Sequence, residues 1–84
     1  MTDAMVYQTN LVFNLLKERM PEHRGITSME AIKEFGATRL SAIIFALRKR
    51  LEGTDYEIVS EWHTGVSRYG RTTRYVEYIM LKIR

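Results

Sequence analysis

Two stretches of this 84-residue chain carry bases and no acid. One is 38–50, with Arg39, Arg48, Lys49 and Arg50; the other is 62–76, with Arg68, Arg71 and Arg74. An acidic segment holding Glu52, Asp55, Glu57 and Glu61 lies between them. The whole chain has a net charge of +3, but residues 31–84 hold ten bases against six acids, while residues 1–30 are slightly acidic. Bases gathered in this way form the footprint expected for a polyanion. Solvation of exposed faces is the competing explanation of the same pattern.

Other chemistries find less support. The chain has no Cys, which excludes disulfides, thiolate nucleophiles and Cys-type zinc sites. His23 and His63 are the only histidines, and neither stands at ligand spacing from another histidine or a carboxylate pair, so no metal and no cofactor are expected. There is no Ser-His-Asp arrangement, no Gly-rich phosphate loop and no carboxylate pair on a cleft-forming scaffold, so an enzyme is not expected. The longest apolar run, Ala42–Leu47, has six residues, against the roughly 20 of a membrane helix. Met1-Thr2-Asp3-Ala4 does not open a secretion signal. These features predict a single domain over 1–84, cytoplasmic and without a membrane partner.

The elements that must carry the basic clusters follow from periodicity. Leu11, Val12, Leu15 and Leu16 form an apolar stripe on a helix over 3–20, with Asp3 as its N-cap and Pro21 as its stop. Phe13 lies off the stripe, and with Met5 and Tyr7 it is a candidate contact for a homodimer. Ile26 suggests a very short strand. Thr27-Ser28-Met29-Glu30 matches a capping box, with the Thr27 hydroxyl accepting from the Glu30 amide and the Glu30 carboxylate reaching back. The helix it opens, 28–35, is expected to bury Met29, Ile32 and Phe35. Gly36 suits a left-handed C-cap, and Thr38 reads as the N-cap of a third helix to about Leu51. Leu40, Ile44, Leu47 and Leu51 share one face of that helix. Two helices joined by a short Gly-containing turn make a helix-turn-helix. Tyr56–Thr64 and Arg71–Ile83 then read as the strands of a hairpin, with Gly65 and Gly70 bracketing the turn and Arg68-Tyr69-Gly70-Arg71 at its tip. Trp62 is expected to plug the core against the third helix. The predicted fold is α+β, a winged helix-turn-helix of three helices followed by a two-stranded hairpin.

The residues go further than the element order. GITSMEAIKEFGATRLSAIIFALRKR followed by YEIVSEWHTGVSRYGRTTRYVEY, covering roughly 25–80, resembles a family of small phage and prophage winged helix-turn-helix domains. In that family a Thr-Arg-Leu-Ser-Ala start opens the recognition helix and an Arg-Tyr-Gly tip closes the wing. The resemblance implies binding to double-stranded DNA in a bacterial host, as a transcriptional regulator. Two departures stand out: Leu51–Asp55 lengthens the loop before the hairpin, and Ile43 and Ala46 occupy positions where the family often has basic and polar residues.

On a helical wheel the side opposite the leucines holds Thr38, Ala42, Phe45, Ala46 and Lys49, edged by Arg39 and Arg50 and by Ser41 and Arg48. Arg39 is placed to read a guanine edge, and Ala42 and Ala46 to approach the groove floor. Ser41 and Phe45 are candidate contacts to the duplex, and Arg48 and Lys49 candidate phosphate contacts, although bases at a helix C-terminus also complement its dipole. Arg68, Arg71 and Arg74 are expected along the backbone or in the minor groove, with Tyr69 packing against sugars. Thr27, Ser28 and Thr38 mark helix N-termini that suit phosphates. Two alternatives remain open: a host-protein contact through Ala42, Ile43, Phe45 and Ala46, and an accessory role in DNA excision or packaging.

Overall fold

Pro21 has no amide to donate and closes the first helix, α1 (Asp3–Arg19), into a 3-10 turn over Met20–Glu22. The structure is a computed structural model describing residues 3–66 and 68–83, with side chains from residue 6 onward. After the turn come β1 (Ile26–Thr27), α2 (Ser28–Phe35), α3 (Leu40–Arg50), β2 (Tyr56–Val66) and β3 (Thr72–Lys82). The hairpin gains a third strand, because β1 pairs antiparallel with β3 to give the order β1-β3-β2. Among the described residues no helix is long and apolar enough to cross a membrane.

The core follows the leucine stripes. Val12 and Leu16 of α1 and Leu40, Ile44 and Leu47 of α3 pack with Leu51, Ile26, Ile58 and Met80. Phe13 packs against this cluster half-buried, whereas Tyr7 is exposed; the side chain of Met5 lies outside the described residues. Arg19 ties the end of α1 to the next two elements. Its Nη1 donates to the Gly25 carbonyl at 2.9 Å and to Glu30 Oε1 at 2.6 Å. The hydrogen bond that Arg19 donates to Glu30 raises the Arg19 pKa above its ordinary value, against the lowering that burial brings. Gly25 is required where it stands, because a Cβ there would lie 1.8 Å from the Tyr78 carbonyl oxygen.

Several local expectations hold and several do not. Thr27 caps α2, its Oγ1 accepting from the Glu30 amide at 3.2 Å, and Gly36 ends the helix at φ 64°. The Glu30 carboxylate, however, takes Arg19 rather than closing the capping box. The α1 helix already contains Asp3, so Asp3 is not its N-cap. Thr38 does not cap α3: the helix starts at Leu40, with Arg39 in the N-cap position and no side-chain cap. Gly65 lies within β2 opposite Thr73, so the turn falls beyond it, and Gly70 at φ 77° supplies its left-handed residue.

Met29 and Ile32 are exposed, 77% and 47%, because the inward positions of α2 are Ala31 and half-buried Phe35. Trp62 is not a core plug but 61% exposed. It shares a sheet face with Ile58, yet the α2 end stands across an open groove from it instead of packing on it, so the same alternation gives a buried residue at Ile58 and an exposed one at Trp62.

Candidate nucleic-acid interface

Ile43 is fully buried, which removes it from the outward face of α3. It stands about 60° from Leu40 on a 100° wheel, inside the wide arc that a helix buries when packed from several sides; α3 touches α1, α2 and β2. The family's basic residue at this position therefore has no exposed counterpart here. Ala42 and Ala46 are half-buried on the same flank. The exposed arc of α3 is narrower than the sequence suggested: Ser41, Phe45, Arg48 and Lys49, preceded by Thr38 and Arg39. Arg39 makes no ion pair among the described residues, and Lys49 sits over the Phe45 ring at 5.0 Å. Arg50 leans the other way, donating to Asn10 Oδ1 of α1 at 3.4 Å.

Arg48 joins this arc to the hairpin. Its Nε donates to the Ile58 carbonyl at 3.1 Å, its Nη2 donates to Ser60 Oγ at 2.9 Å, and its guanidinium lies 5.8 Å from the Tyr78 ring centre. Arg48 is thus partly committed to positioning β2 against α3, in addition to carrying charge. Beyond Ser60 the same sheet face continues through the Trp62–Val76 and Thr64–Arg74 pairs to the tip. Arg74 covers the Trp62 ring at 5.1 Å, a cation–π contact. Arg68, Tyr69 and Arg71 are exposed in the turn. Trp62 and Val76, with Met29, Ile32, Thr27 and Ser28 of the α2 end, line an open groove of about 800 Å³.

The strand register sorts charge by face. Arg74 and Lys82 occupy positions in line with Ile58 and Trp62, the side on which Arg48 docks. Glu57, Glu61 and Glu77 all fall on the opposite face. Alternate residues on a strand point to opposite sides, so the helix-facing side of β2 and β3 carries bases and no acid. Sequence reading missed this because it counted charges along the chain; strand parity was the available signal. It also missed Trp62 as a surface residue, and it missed that folding places His63 between Glu61 and Glu77 on the acidic face. Spacing along one chain does not show a pairing that two strands create.

A family model described as a winged helix-turn-helix domain matches residues 7–82. No curated protein and no solved structure matches the chain. The family match supports DNA binding in general, and domains of this kind are typically non-enzymatic.

Proposed function

Because the chain belongs to the winged helix-turn-helix domain family, we propose that it binds double-stranded DNA sequence-specifically, as a phage or prophage transcriptional regulator in the cytoplasm of a bacterial host. The sorting of charge by hairpin face carries this reading: the side continuous with the exposed arc of α3 is the side free of acids. Arg39 and Ser41 enter the major groove with the start of α3, and Phe45 follows behind them. Lys49 and the remaining donors of Arg48 meet phosphates, and Arg68, Arg71 and Arg74 follow the backbone. Ser28 at the start of α2 and Thr38 before α3 add exposed hydroxyls and amides to the same contacts. The resemblance of residues 25–80 to phage domains supports the regulatory assignment. Homodimerisation on paired half-sites fits the small number of bases.

Titration of a labelled random duplex at two salt concentrations tests the reading. Six bases, Arg39, Arg48, Lys49, Arg68, Arg71 and Arg74, predict a log–log salt slope of about −5. No binding, or binding indifferent to salt, contradicts it. The groove between α2 and the hairpin favours a second reading, a contact with an apolar protein segment, since Met29, Ile32 and Trp62 stand exposed there. That reading predicts a folded protein with no salt-dependent duplex affinity.

A further inference from the structure

We propose that Glu61, His63 and Glu77 form a binding site for a first-row divalent transition metal, with Zn2+ the representative ion. Glu61 and Glu77 are direct cross-strand partners on β2 and β3, and His63 lies two residues from Glu61 on the same face. The three offer ligand atoms that all lie within 4.8 Å of one another. His63 Nε2 is 2.9 Å from Glu77 Oε1 and 3.8 Å from Glu61 Oε1. Tetrahedral coordination at 2.0–2.1 Å spaces its ligand atoms about 3.3 Å apart, and these two separations bracket that value. A set of one imidazole and two carboxylates leaves a fourth position for water, the donor mixture that suits zinc and its neighbours.

Each carboxylate turns Oε1 toward His63, and the outer oxygen of Glu77 is held by a group outside the cluster. Glu77 Oε2 accepts from the Gly25 amide at 2.9 Å, and Glu61 Oε2 lies 3.5 Å from His23 Nε2. The Gly25 amide thus orients Glu77 from outside the ligand set, as outer groups of metal sites do. The His63 ring is further fixed by stacking on Tyr75 at 5.4 Å. The arrangement also answers a local problem, since two carboxylates directly opposite across a strand pair repel, and a divalent ion neutralises both. Glu61, His63 and Glu77 are all solvent-accessible, so an ion reaches them without opening the fold. Bound there, it links β2 to β3 just outside the buried part of the hairpin, on the face turned away from α3. The site therefore braces the wing and does not depend on the proposed DNA contacts.

The experiment uses the full 84-residue chain, with Zn2+ as the probe, indicator-dye competition for affinity and thermal melting for stability. Wild type is expected to bind one Zn2+ and to melt several degrees higher with it. His63→Gln, which keeps a hydrogen-bonding amide, and Glu61→Gln are each expected to weaken binding at least about tenfold. Glu61→Gln is also expected to melt at the same temperature as metal-free wild type or higher, because it relieves the carboxylate repulsion; a purely structural role for Glu61 gives the opposite sign. Mg2+, which prefers octahedral oxygen and keeps its waters, is expected not to displace Zn2+. Absence of Zn2+ binding, binding undiminished in both variants, or displacement by equimolar Mg2+ overturns the proposal.

Discussion

Ile58, Ile79 and Met80 in the inner half of the hairpin are buried, whereas Trp62, Val66 and Tyr75 in the outer half are exposed. The two halves belong to the same strands, in one unbroken register. What differs is the surroundings: Ile58 and Met80 pack in one cluster with α1 and α3, Ile79 on the other face lies beside Gly25, and Trp62 faces the α2 end only across an open groove. The stability of the domain accordingly resides near the base of the hairpin, and the surface available to a partner lies near its tip. An apolar residue on a strand is a core residue only where another layer covers it.

Met80→Ala is expected to cost about 2–5 kcal/mol in urea unfolding, while Trp62→Ala, which loses only a cation–π contact and exposed area, costs less than about 1 kcal/mol. Equal losses would erase the distinction between the halves. Gly25→Ala drives a Cβ against the Tyr78 carbonyl and is expected to destabilise by on the order of 3 kcal/mol, with hydrogen exchange showing β1 released from β3. Arg39→Ala leaves the fold intact, since Arg39 gives α3 no side-chain cap, and is expected to relax discrimination by about 1–3 kcal/mol at one base position, read by selection on random duplexes. Arg68→Ala has the smallest effect: all sequences weaken alike and the salt slope becomes shallower by about one.

Much of the fold was legible in the sequence for local physical reasons. Pro21, Thr27 and Gly36 act through their own backbone and immediate neighbours, so the boundaries they set are where the residues predict them. Leu40, Ile44 and Leu47 declare the inward side of α3 by their spacing. Ile43, Met29, Ile32 and Trp62 were misread for one shared reason, since the burial of each depends on which element packs over it. The charge sorting of the hairpin and the grouping of Glu61, His63 and Glu77 also require the pairing of two strands, although Glu61↔Glu77 follows at once from the register. Arg48 was readable as a base but not as a brace to β2, because its partners Ile58 and Ser60 lie in another element.

Trp62 is the only tryptophan of the chain and stands on the acid-free side of the outer hairpin, so its fluorescence reports directly on the surface assigned to DNA. Addition of duplex should change the Trp62 emission in a saturable way, in step with the anisotropy of a labelled duplex, and added salt should reverse both. A duplex that binds by anisotropy while Trp62 emission stays unchanged would place the interface elsewhere on the molecule and contradict the account.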